Sequence, residues 1–129
     1  MNYFEIVKQE EKSNIGIDFD GVIHNHHKGF HDGTIYGEPI PGAIEAIKYL
    51  SHKFKIIIFT AKAKSDRPLI NGKTGTELVY DWLRQYEIIS HIHEVTSEKP
   101  RALIYIDDKG FRFENWEDTL EFISKIEKQ

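Results

Sequence analysis

Short apolar runs alternate along the chain with stretches whose apolar residues recur at helical spacing, the pattern of a mostly parallel β-sheet packed by helices. Residues 14–19 read as the first strand. A helix is expected to begin near Pro41 and Gly42, because Ala43, Ala46, Ile47 and Leu50 follow the i, i+3, i+4, i+7 spacing of one buried face. Residues 55–60 read as the second strand, four consecutive apolar residues ending in the hydroxyl of Thr60. Thr74 and Glu77 stand in capping-box spacing and open a second helix that buries Val79, Trp82, Leu83 and Tyr86. Residues 92–96 form a weaker strand and 102–106 a strong one, and Asn115 caps a last helix burying Trp116, Leu120, Ile123 and Ile126. Residues 1–12 read either as an edge strand or as an irregular arm. The order is βαβαβ, so the expected fold class is α/β: a Rossmann-like, mostly parallel sheet with helices on both faces, in a single domain spanning residues 1–129.

Composition narrows the class without naming a reaction. With 129 residues, 40% of them hydrophobic, the chain is long enough for a real core, and no repeat or low-complexity tract divides it. It has no cysteine, which excludes disulfides, a thiol nucleophile and zinc–thiolate sites, and fits a reducing, cytoplasmic setting. A formal net charge of -4 argues against a basic coat for bulk nucleic-acid binding and leaves nucleic acid only as a substrate. The longest aliphatic runs are too short to span a bilayer, and the first residues lack a basic segment followed by an apolar one. A soluble protein with no membrane association and no secretory signal is therefore expected.

The chemistry lies at the strand ends. Asp18 and Asp20 leave the first strand on the same side, with Gly21 letting the chain turn away, and Asp107 and Asp108 follow the strand at 102–106. Four acids at one sheet edge repel unless something neutralises them. Oxygen-only ligation favours a hard ion, and Mg2+ is the one expected, since it takes one or two carboxylates and completes its shell with water and phosphate. A phosphate monoester dianion repels an attacking carboxylate, so a site for it must neutralise charge, align the nucleophile and protonate the leaving oxygen.

Read in order, Asp18-Phe19-Asp20-Gly21-Val22, Thr60 at the end of the second strand, Lys99 before the fourth and Asp107-Asp108 at its end resemble the motifs of the haloacid dehalogenase (HAD) superfamily. The likeness spans about residues 15–123. It implies a Mg2+-dependent phosphatase in which Asp18 attacks phosphorus to give an aspartyl-phosphate and Asp20 is first the general acid, then the base that activates water. Thr60 would hydrogen-bond a phosphoryl oxygen, and Lys99 would supply fixed positive charge. The metal set would be Asp18, the main-chain carbonyl of Asp20, and Asp107, with Asp108 either a water-mediated ligand or an orienter of Lys99. Two departures stand out. The run Thr60-Ala61-Lys62 has a lysine where the family often places arginine, a point charge rather than a bidentate fork, and Ile106-Asp107-Asp108 lacks a preceding glycine.

Neither gap in which HAD-like proteins carry a cap domain holds one here, so the likeness is to a small capless type. Residues 22–41 suffice for a β-hairpin flap, and an open site suits either a bulky substrate or a small one covered by a neighbouring subunit. His24, His26, His27 and His31 cluster in that flap; an exposed polar loop is the first reading, a substrate-facing or metal-binding strip the second. Phe30 and Tyr36 are expected to form the flap's own small core. Lys62, Lys64, Arg67 and Lys73 put four cations near the expected phosphate, a binding rim for an anionic substrate or a solvated loop. The substrate would be a nucleotide or sugar phosphate, or alternatively a polynucleotide end. Outside catalysis, the alternative is a non-catalytic phosphate- or metal-binding module. A phospho-acceptor receiver domain is disfavoured, because its acids, Thr and Lys come in another chain order.

Overall fold

The computed structural model describes residues 14–107 and 111–127, so the expectations for residues 1–12 and for Asp108 lie outside it. The elements are β1 (Asn14–Asp18), α1 (Ala43–Leu50), β2 (Lys55–Phe59), α2 (Gly75–Gln85), β3 (Glu94–Thr96), β4 (Ile104–Asp107), β5 (Phe111–Arg112) and α3 (Trp116–Glu127). The strands lie in the order β3-β2-β1-β4-β5 and every pairing is parallel. This is an α/β, Rossmann-like architecture. The chain builds outward from β1 through β2 to β3, then returns to the other side of β1. That reversal leaves a crevice at the carboxyl ends of β1 and β4.

One face of the sheet carries the core. Ile15, Ile17, Ile56, Ile58, Ile104 and Ile106 join Ala43, Ala46, Ile47 and Leu50 of α1, Val79, Trp82 and Leu83 of α2, and Trp116 and Ile123 of α3 in one buried cluster. Alternation along the strands sends Gly16, Ile57 and Tyr105 to the opposite face. Among the described residues no helix covers that face, which corrects the expectation of helices on both. Right-handed crossovers put α1 and α2 on the same side and send the return from β3 to β4 across the other. Residues 97–103 make that return without a helix. Their packing is close: a side chain at Gly16 would place its Cβ 3.0 Å from Tyr105 Cδ1 and 3.3 Å from Pro100 Cγ.

Local chemistry explains the helix starts. Thr74 Oγ1 accepts from the Glu77 amide at 3.1 Å and Glu77 Oε1 accepts from the Thr74 amide at 3.1 Å, the reciprocal pair read from the sequence. Asn115 Oδ1 accepts from the Asp118 amide at 2.8 Å at the start of α3. Tyr86 falls just past the end of α2 and is only half-buried. β4 begins two residues later than expected, because the Ala102 amide donates to the Tyr105 hydroxyl at 3.2 Å. Among the described residues no helix is long and apolar enough to cross a membrane.

The flap is less regular than a β-hairpin. Its base closes through Asn25 N–H to Glu38 O at 2.9 Å and Ile40 N–H to Ile23 O at 2.8 Å, around a single His24–Pro39 bridge. Pro39 has no N–H with which to extend the ladder, and beyond it the chain runs in turns.

Candidate functional site

Parallel pairing aligns the strand ends. Ile17 pairs with Ile58 on one side and Ile106 on the other, so Asp18 stands level with Phe59 and with Asp107, and Thr60 is one residue beyond. Asp18, Asp20, Gly21, Val22, Asp107, Arg112 and Phe113 line one open cleft of about 280 Å³. The first, third and fourth sequence motifs therefore converge at one edge, as Lys99 donates to Asp107 Oδ2 at 2.8 Å. Lys99 also sits 4.4 Å from the Tyr105 ring centroid, and the Tyr105 hydroxyl donates to Pro100 O. That bond pins the turn carrying the lysine. Asp107 is only 4% exposed, so the lysine serves a carboxylate that water barely reaches.

Asp20 is held differently. His24 Nδ1 lies 2.9 Å from its Oδ1, and Lys62 Nζ lies 3.3 Å from its Oδ2. Lys62 is 6% exposed, so the residue placed by sequence on a rim is instead buried against the acid. A buried ammonium requires such a partner. Thr60 Oγ1 accepts from the Lys62 amide at 3.2 Å, capping the 3-10 turn Ala61–Ala63 and fixing where the lysine starts. Burial acts to raise the Asp20 carboxyl, but the His24 hydrogen bond and the charges of Lys62 and His26 outweigh it and hold the group below its ordinary value.

His24 is the residue that sequence reasoning misplaced. It was expected in an exposed loop, yet it is 0% exposed, stacked 5.4 Å from Phe19 and set edge-on to Trp82 at 5.8 Å. The Gly37 amide donates to its Nε2 at 2.9 Å, so that nitrogen is bare and Nδ1 carries the hydrogen given to Asp20. Gly37 must be glycine for this: an added Cβ would stand 2.0 Å from Asn25 O and 2.8 Å from His24 Nε2. Its carbonyl accepts from Trp82 Nε1 at 3.0 Å, tying flap to α2. The i, i+4 spacing of Asp20 and His24 was the only signal in the sequence, and it carries no meaning until the chain is known to turn at Gly21.

The other flap histidines divide. His26 is partly buried, with its Nδ1 3.5 Å from Asp20 Oδ1; burial, then the charge of Lys62, lower its pKa against the pull of Asp20. His27 and His31 are exposed, as expected. Tyr36 lies among all four imidazoles, at 5.3 to 6.2 Å, and donates to Gly29 O at 2.8 Å, the small flap core read from the sequence. Phe30 departs from that core and is 58% exposed, with Arg67 5.9 Å from its ring centroid. Lys64 and Arg67 are exposed beyond Lys62 on the same loop.

Two donor sets for a cation can be compared. Asp20, His24 and His26 bring ligand-type atoms within 4.8 Å of one another, but both His24 nitrogens are already hydrogen-bonded. Asp18 and Asp107, level on adjacent strands in one cleft, are an all-oxygen pair that fits a hard divalent ion with room for water. The Asp20 side chain lines the same cleft, with each of its oxygens facing a donor. Comparison of the chain with known protein families, with curated proteins and with solved structures finds no match.

Proposed function

We propose that the protein is a Mg2+-dependent phosphomonoesterase of the capless HAD-like type, acting through an aspartyl-phosphate on Asp18. The observation that carries this reading is the convergence of the acids: Asp18, Asp20 and Asp107 line one cleft, and Asp20 is also held by His24 and Lys62. A nucleophile and a proton carrier have different requirements, and the two acids have different neighbours. Asp18 attacks phosphorus as the bond to the leaving oxygen breaks, and Asp20 gives that oxygen a proton. Asp20 then takes a proton from the water that attacks phosphorus, releasing phosphate and restoring Asp18. Mg2+, when bound by Asp18 and Asp107, offsets the charge of the phosphate against the carboxylates.

The low pKa of Asp20 bears on the first step, because an ionised carboxylate has no proton to give. An arriving phosphate dianion raises it by like-charge repulsion, so the acid is charged with its proton as substrate binds. Thr60 and Lys99 are assigned to the phosphoryl oxygens, from the end of β2 and beside Asp107.

The test is hydrolysis of an aryl phosphate by wild type, Asp18→Asn and Asp20→Asn, each with Mg2+ and with EDTA. Wild type is expected to turn over only with the metal. Asp18→Asn should lose about a thousandfold or more in kcat, the scale of removing a covalent nucleophile. Asp20→Asn should retain a burst of phosphorylation. Full activity of Asp18→Asn overturns the covalent route, and no hydrolysis across a phosphoester panel leaves a non-catalytic phosphate-binding module.

A further inference from the structure

A second cavity, about 200 Å³, opens beside Lys62 between the flap and the loop that follows β2, lined by Phe30, Gly33, Arg67, Pro68, Ile70 and Leu78 among others. Its wall is mainly apolar and its cations are Lys62 and Arg67. We propose that this cavity holds the base of a nucleoside monophosphate whose phosphate occupies the Asp18 cleft, an inference that rests on the phosphatase reading and names its substrate class.

Position supports it first. Asp20, which lines the Asp18 cleft, lies 3.3 Å from Lys62 Nζ, and Lys62 also lines the cavity. Gly75 also lines the cavity and packs directly on the Lys62 carbonyl. The cavity therefore adjoins the backbone end of the lysine while its ammonium reaches Asp20. The Lys62 side chain thus runs from the cavity wall to the Asp20 carboxylate.

Size and lining select the ring. Pockets enclosing a whole drug-sized ligand run to about 300–1,000 Å³, so this one takes a single ring system. Phe30 presents an exposed aromatic face at its mouth, with the Arg67 guanidinium beside it. A planar base can stack on that face, and cations attract the negative faces of aromatic rings. A bare sugar phosphate would leave Ile70, Leu78 and Phe30 without an apolar partner. A polynucleotide end would have to pass further nucleotides over the same mouth.

The test measures equilibrium binding of adenosine 5′-monophosphate and ribose 5-phosphate by calorimetry to Asp18→Asn, which prevents turnover, and kcat/KM for both in wild type. The nucleotide should bind about tenfold tighter or better, the worth of one stacked base. Phe30→Ala and the cavity-filling Leu78→Trp, each checked for folding by circular dichroism, should reduce that nucleotide-to-sugar ratio toward one. Equal binding of the two, a ratio that neither variant moves, or clear preference for a phosphorylated oligonucleotide over the mononucleotide overturns the proposal. Selective binding without turnover in wild type would leave the cavity assignment standing and sink the phosphatase reading instead.

Discussion

Asp20 shows how much a single carboxylate depends on neighbours far from it in the flap. Its partner His24 is positioned by a backbone amide, and that amide belongs to a glycine because nothing larger fits between Asn25 O and the imidazole. Gly37→Ala should therefore lower stability by about 1–3 kcal/mol, the cost of overpacking a site that cannot yield, read as the shift in urea midpoint. His24→Ala tests the electrostatics. The Asp20 carboxyl is held below the ordinary 3.8, so the interaction stabilises the fold fully above that value and is lost as pH falls through the lower folded value. The stability gap between wild type and His24→Ala should thus be wide at pH 7 and narrow progressively as pH falls below the ordinary carboxylate range. A gap independent of pH would mean that His24 acts by packing alone. Freed of its donor but still partly buried, Asp20 in the variant should keep its proton to higher pH, moving the acid-dependent limb of kcat upward.

The loop after β2 and the flap before α1 face each other across Lys62, and each was legible only in part. Regular elements were readable because their signals are local: the Thr74–Glu77 box, the Asn115 cap and the 3.6-residue spacing of α1 all act within one or two turns. The flap was not, since a twenty-residue connection with prolines and glycines has no period to read, and its order comes from Trp82 and Phe19 beneath it. The same holds for Lys62, whose burial depends on how the flap closes. Further out, Lys64 and Arg67 remain exposed, where the proposed substrate-binding rim would place them. Lys64→Ala and Arg67→Ala should each raise KM several-fold with kcat little changed, the signature of lost ground-state binding. Unchanged KM would make this stretch a solvated loop.

Among the described residues a five-stranded parallel sheet gathers the chemistry because all its carboxyl ends point one way, so residues eighty-nine positions apart, Asp18 and Asp107, become neighbours. An ion held by Asp18 and Asp107 binds only the folded chain, so Mg2+ should raise the melting temperature of wild type by mass action and leave that of Asp18→Asn nearly unmoved. Equal stabilisation of both proteins would place the ion elsewhere. Strand and helix identity and the convergence of Asp18, Asp20 and Asp107 at one sheet edge were present in the sequence, because apolar period and residue type are properties of short segments. Which face the helices cover, which acid turns to a histidine, and whether a lysine lies on a rim or under a flap were decided only in the tertiary structure. Crossover handedness and side-chain burial join segments that the chain keeps apart, and no local pattern records what a folded neighbour will be.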